Sequence, residues 1–367
     1  MKQSYDFSIE NIKNLSPEEK ISRKKSLDLF YESGFPTKKV EDWKFTDLNS
    51  ILNKNFNSIS NEVDLESTKE LEIIKNFEHN YIFLTNGRII STSFAYEEKN
   101  KILIKDFDQK EPFNFDPGNT LTLLNSALSL GGFSLEVTKN YKLKKPLVIY
   151  NYFSKDLKNK ILNNKNSIKL NKGSELMLID YNDDHAESNF IKNTIETISL
   201  DENAILKNIL IQESKSNGHF YKYIKGSLES GSYYENYILS SGLKLNKIEI
   251  EINLNKDNSS CSIYSALNLL EDQHQEIKTR INHNSPECKS YQKIKNVLND
   301  KSRGVYQGKI FVEKIAQKTD AYQLSKALIL NDGAEFDAKP ELEIYADDVK
   351  CSHGSTSGSI DSDAVHY

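Results

Sequence analysis

The amino-acid sequence predicts a mainly β protein: a right-handed parallel β-helix (β-solenoid) core behind an N-terminal helical region. Three observations lead there. From about residue 134 the apolar pattern takes a period of two. In "KIEIEINL", Ile248, Ile250, Ile252 and Leu254 point one way and Lys247, Glu249, Glu251 and Asn253 the other, as in a half-buried strand. A turn-rich motif also recurs: "LNKGS" at 170, "LDENA" at 200, "LESGS" at 228, "LNKDNS" at 254, "INHNS" at 281, "VEKIA" at 312 and "LNDGA" at 330. The successive offsets are 30, 28, 26, 27, 31 and 18. A unit of that length cannot bury its apolar face alone, whereas a stack of such units can. Parallel strand crossovers are right-handed. The third observation is composition. An apolar fraction of 37% with 28% charged residues is lean for a compact globule, yet 19 Tyr and 17 Phe argue against disorder. An elongated fold with much surface per residue reconciles the two. A β-sandwich or meander with turn residues at chance spacing is the competing reading of the repeat.

The elements before the repeat are legible in order. Ser16-Pro17-Glu18-Glu19 has a capping-box pattern with proline at the first helical position. Gly34 and Pro36 terminate that helix. "YIFLTNGRII" is a strand candidate whose Asn86-Gly87 suits a tight hairpin turn. "NTLTLLNSALSLGG" predicts a second helix from about 120 to 130, capped by Asn119 or Thr120 and ended by Gly131-Gly132. Residues 1–133 are thus a helical and mixed α/β region, and 134–358 the β-helix core.

Several function classes are disfavoured. The formal net charge of -5 and pI of about 5.9 do not favour nucleic acid. The lysine-rich run "KDLKNKILNNKNSIKL", interleaved with Asn, is read as a solvated surface. "MKQSYDFSIENIKNLS" lacks the apolar stretch of a secretory signal, and no window approaches 18 uninterrupted apolar residues. Three scattered cysteines, at 261, 288 and 351, fit a reducing cytoplasm better than a disulfide framework. No G-x-x-x-x-G-K-[ST] occurs, so an ATP site in this chain is not expected. "GSTSGS" at 354–359 is read as a flexible turn, and "NDDH" at 182–185 as a polar loop. Trp43 is read as a packing anchor.

The candidate site lies near the end of the sequence. After Asp347-Asp348 breaks the register, Val349, Cys351 and His353 share one strand face. A thiolate and an imidazole two residues apart can converge on one soft metal or on sulfide. Two ligands do not complete a zinc or iron–sulfur site, which usually takes four. A buried thiol beside a satisfied histidine is the bland alternative. A functional reading needs ligands from a distant rung or another chain.

"KPELEIYADDVKCSHGSTSG" (339–358) resembles the C-terminal signature of the SufB/SufD family of iron–sulfur cluster assembly proteins, in a form nearer the SufD branch. "GFPTKKVEDWKFTDL" (34–48) resembles the N-terminal motif of that branch, and residues 303–345 its final rungs. The resemblance implies a right-handed parallel β-helix with an N-terminal helical region. It implies a non-catalytic scaffold subunit that pairs with SufB through the β-helix cores and binds the ATPase SufC. The cargo would be a transient iron–sulfur cluster held at the SufB contact, with His353 as a ligand beside a cysteine of SufB. Cys351 lies on the same face. A homodimer through that face is also compatible, and no motif decides whether a flavin takes part. The family continues past "DAVHY" with a C-terminal helical region that carries the main SufC-docking surface. Residues 359–367 are therefore expected to begin a truncated form of it, with SufC docking largely missing. A structural solenoid without metal chemistry, and a carbohydrate-active β-helix enzyme, are the alternatives.

Overall fold

The computed structural model describes residues 4–10, 12, 15–63, 73–107, 118–183, 188–212 and 216–359. The N-terminal region contains β1 (Ser4–Asp6), α1 (Pro17–Ser33), α2 (Leu48–Asn55), β2 (Ser58–Ser60), β3 (Asn80–Thr85), β4 (Arg88–Ser93), β5 (Ile102–Asp106) and α3 (Thr120–Leu128). The remaining strands alternate between two long sheets. They are β6 (Phe133–Val137), β7 (Leu147–Tyr152), β8 (Ile161–Leu170), β9 (Glu175–Asp183), β10 (Phe190–Leu200), β11 (Ile205–Gln212), β12 (Ser216–Leu228) and β13 (Tyr233–Ser240). They continue with β14 (Leu243–Leu254), β15 (Ser260–Leu269), β16 (His274–His283), β17 (Lys289–Leu298), β18 (Arg303–Val312), β19 (Thr319–Ile329), β20 (Glu335–Ile344) and β21 (Val349–Ser359).

From β6 on, even strands stack in one sheet and odd strands in the other, each parallel to the strand one rung away. This is a parallel β-solenoid of about eight turns. Leu, Ile and Val from both sheets meet between them, as Ile168, Leu200, Ile252 and Ile281 do against Leu178, Ile238, Ile263 and Ile294. The start of the stack is closed by strands of the N-terminal region: β5 pairs antiparallel with β6, while β3 pairs parallel with β7 and antiparallel with β4 beyond it.

One corner explains the repeat. Asn140, Gly173, Asn203, Gly231, Asn258, Glu287 and Lys318 all have φ near +60°. Each donates its N–H to a carbonyl of the next rung, for example Gly173 to Glu202, Asn203 to Ser230 and Glu287 to Gln317. Left-handed backbone is cheap for Gly and tolerable for Asn, and costs about 1 kcal/mol or more elsewhere. Six of the seven turn motifs lie at this corner. "LNDGA" at 330 does not: it joins β19 to β20 at the opposite corner, which accounts for the short offset of 18.

The helices bear out their signals. Ser16 caps α1, accepting from the Glu19 N–H, while the Glu19 carboxylate accepts from Ser16 N–H at 2.7 Å. Asn119 rather than Thr120 caps α3, and the helix stops at Leu128, before Gly131. Asn86 and Gly87 turn the hairpin with φ of 48° and 80°. The chain meets two expectations differently. The lysine-rich run is not a solvated face, because Ile161–Lys165 of β8 are buried. Likewise "KIEIEINL" is not half-buried: Lys247 is fully buried and Glu249 nearly so. Both differences have one cause, the N-terminal region folded over the outer face of the even sheet. Phe30, Trp43, Leu52 and Leu124 form a second apolar core with Ile195, Tyr221 and Leu245 of that face.

A buried polar latch fixes the overlay. Lys247 Nζ lies 4.4 Å from the Trp43 ring, donates to Asp42 O at 2.8 Å and contacts the Glu276 carboxylate. Thr46 Oγ1 donates to the other Glu276 oxygen and sits 2.7 Å from His274 Nε2. Gln307 adds a third donor to Glu276. Trp43 is thus the packing anchor its setting suggested. No described helix is long and apolar enough to cross a membrane. The truncated helical region was expected to begin at 359, but Ser359 is the last residue of β21; residues 360–367 lie outside the described residues.

Candidate functional site

The last rung carries the site. β20 ends at Ile344, and the chain turns through buried Ala346. The turn is tied to the rung before it: Tyr345 N–H donates to Val312 O, Asp348 N–H to the Gln317 side chain, and Lys318 N–H to Asp348 O. That fixes the parity with which β21 starts. Ala321 pairs with Cys351 and Gln323 with His353. Ala321 and Gln323 are buried between the sheets, so Cys351 and His353 take inward positions while Lys350 and Ser352 point out. Residues 354–359 are not a flexible turn. They are the second half of β21, paired with Leu324 to Ile329.

Inward positions elsewhere in the stack are closed by the next rung. Here no described rung follows: β20 and β21 each pair on one side only. Cys351 is therefore half-buried, packed beside Ile310, Ala321 and Leu342, and His353 is exposed. Burial pushes the Cys351 thiol pKa up, and Asp320 adds to that shift. The thiol stays protonated at neutral pH until a cation or metal compensates the charge. His353 makes no hydrogen bond to the described residues.

Beneath His353 the interior is polar. Gln323 and Gln292 occupy the two preceding rungs of its column. Tyr306 Oη lies 3.1 Å from Gln323 Oε1 and 3.2 Å from Gln292 Oε1, and Gln323 Nε2 donates to Glu341 O. Gln292 Nε2 is buried without a partner. This group could have been found by stepping back from His353 by one rung of 30 residues and then 31, but nothing in the local sequence marks it.

The pair gains no third ligand from the described residues. Among the described residues, no three His, Cys, Asp or Glu side chains gather as a metal site. Cys261 shares the inward column of Cys351 but lies three rungs away, about 14 Å at the usual strand spacing. Cys261 and Cys288 are both buried thiols with raised pKa values, burial being the main cause. Asn182 ends an inward run in β9, while Asp184 and His185 lie outside the described residues.

A second charged group lies inside the stack. Lys222 Nζ bridges Asp180 Oδ2 at 2.7 Å and Glu196 Oε2 at 3.1 Å. Burial alone would depress the lysine, but the two carboxylates hold it above its ordinary value. Both carboxylates are buried and spoken for, so they form no open acid–base pair of the kind a glycosidase needs.

Comparison with known proteins fits this architecture. Residues 4–149 match the SufBD protein N-terminal region, and residues 152–367 match the SufBD core domain of SUF system FeS cluster assembly. The iron–sulfur cluster assembly protein SufD of Escherichia coli is 29% identical over 346 residues, covering 93% of this chain and 81% of that protein. The Bacillus subtilis SufD is 23% identical, covering 90% and 78%. A SufBD family protein of Synechocystis is 22% identical, covering 94% and 81%. With both regions matched in order along nearly the whole sequence, the chain belongs to the SufBD family of the SUF iron–sulfur cluster assembly system.

Proposed function

We propose that this protein is a non-catalytic scaffold subunit on which an iron–sulfur cluster is assembled, sharing the cluster with a SufB partner at the open end of the solenoid. The carrying observation is the position of Cys351 and His353. They face inward in a rung with no described strand paired beyond it, with two ligand types suited to iron and sulfide and no metal-ligating cluster among the described residues.

The edges support a partner there. β21 offers an edge of eleven residues that no other described strand pairs, rich in Ser and Gly, with a single charged residue, Lys350. Such an edge is a template for a strand from another chain. β20 is blunted by Pro340 and five charged residues around it, Glu335, Asp337, Lys339, Glu341 and Glu343. Docking along β21 brings a partner's ligands over Cys351 and His353. The cluster is cargo, completed by a cysteine of SufB, and small relative movement of the two chains opens or closes the site. SufC supplies ATP hydrolysis to drive that movement. Release of one proton from Cys351 accompanies loading, because the thiol is protonated beforehand.

The test is co-purification with the cognate SufB and SufC, then anaerobic reconstitution with iron and sulfide. The wild-type complex should hold a cluster, and His353→Ala should assemble the same complex with markedly less iron and sulfide. Equal content in both would leave the protein a solenoid interaction subunit without metal chemistry.

A further inference from the structure

The two outer faces of the solenoid treat lysine differently. On the even sheet, Lys225, Lys247, Lys278, Lys309 and Lys339 are each ion-paired, with Glu251, Glu276, Asp42, Glu343 and Glu41 respectively. On the odd sheet, Lys289, Lys293 and Lys295 of β17, Lys326 of β19 and Lys350 of β21 alternate with inward residues and so point out. None of these five forms an ion pair with the described residues. The outward acids from β13 to β21 are Glu235 and Asp320, and Glu235 already accepts from Tyr237 Oη at 3.0 Å. A chain of net charge -5 has collected unpaired cations on one face.

Aromatic rings run through the same face. Tyr237, Tyr264, Tyr291 and Tyr322, one from each of four successive rungs, form a ladder with ring centroids 4.9, 5.8 and 5.4 Å apart. Tyr237 and Tyr291 are among the exposed large side chains, beside exposed Leu239. The ladder spans about 14 Å along the stack. Exposed tyrosines at the centre with charged groups around them match the aromatic centre and polar rim of a protein-binding surface.

We infer that this face of the odd sheet is a docking surface for a protein partner presenting a carboxylate-rich surface. Charge selects the occupant. A second copy meeting the same face would set lysines against lysines. A nucleic acid would bring the right charge, but the ring faces are used up on one another, leaving edges and hydroxyls instead of open stacking platforms. The surface reaches β21, whose opposite side carries Cys351 and His353, so an acidic partner held there lies next to the open rung. That last consequence rests on the function proposed above; the docking itself does not.

Binding of fluorescent poly-glutamate, of a random glutamate–tyrosine copolymer and of an oligothymidylate of matched charge would be followed by anisotropy on the full chain. The acidic polypeptides should bind, the copolymer more tightly. K293E/K295E/K326E should weaken both by about tenfold or more, equivalent to about 1.4 kcal/mol. The milder K293Q/K295Q/K326Q guards against a folding defect and should show a smaller loss in the same direction. Y264S/Y291S should abolish the preference for the copolymer. Unchanged binding in the lysine variants would overturn the inference. So would tighter lysine-dependent binding of the oligothymidylate, or self-association that the lysine variants remove.

Discussion

The solenoid begins and ends in opposite ways. At its start, β5 pairs antiparallel with β6, and β3, parallel to β7, is followed by antiparallel β4, so that these strands close the stack, while the N-terminal region lies across the even sheet. Phe133 and Leu135 in the first rung are as dry as any residue in the middle. At its end the inward positions of β20 and β21 are only partly buried or exposed. A stack of rungs gains stability from neighbours, so a last rung with no described neighbour beyond it gives that up. Under the proposed function that gives access: Cys351 and His353 stand where a second chain would complete their site.

The largest test of this contrast breaks the covered part. Glu276→Ala takes the nearer carboxylate from buried Lys247, leaving only Glu249 Oε1 at 3.5 Å, and should cost about 3 kcal/mol, read as a drop in the denaturant midpoint. Phe133→Ala in the closed first rung should cost a similar amount, about 3–5 kcal/mol. Leu342→Ala in the open rung should cost about 1 kcal/mol, because its site is already half open to water. Equal losses at the two ends would mean that the last rung is as well packed as the first.

Acid should act on the covered part next. Burial lowers the pKa of His219, His274 and His283 to about 4 each. Unfolded, they titrate near 6.5, so the unfolded chain binds more protons between these values. Stability is therefore full above about pH 6.5 and falls toward pH 4, by up to about 1.4 kcal/mol per pH unit for each histidine. His274 sits in the latch, so the outer cover of the even sheet should loosen first, seen as faster amide exchange in residues 40–46. A midpoint flat from pH 7 to 4.5 would contradict these assignments.

The smallest effect should be a gain. Glu287 and Lys318 hold φ near +60° at the corner where earlier rungs use Gly or Asn. Glu287→Gly should stabilise by about 1 kcal/mol, with the exposed Glu287–Lys318 ion pair a minor loss. Destabilisation would show that this pair, not the backbone, governs the corner.

These contrasts also show what the sequence could carry. Strand parity was legible because alternation is local: Ile248 to Leu254, and Cys351 with His353, fall on the faces their spacing requires. The rung corner was legible because left-handed backbone selects Gly and Asn. Corner identity was not, since "LNDGA" uses the same turn chemistry on the other side. Burial of Lys165, Lys247 and Glu249 was illegible because their cover comes from residues more than 30, and for Lys247 about 200, positions away. The Gly and Ser of 354–359 look like a turn, yet with small side chains they suit an edge strand that another backbone approaches. Gln323 and Tyr306 could be placed under His353 only once rung length was known.

The central claim is that His353 binds the cluster at the open end. The most direct measurement is pulsed electron paramagnetic resonance on the reduced, reconstituted complex, with histidine nitrogens labelled with nitrogen-15 in this chain alone. The account predicts a nitrogen-15 coupling to the cluster that disappears in His353→Ala while the complex stays assembled. A cluster spectrum without that coupling, or one that His353→Ala leaves unchanged, would contradict it.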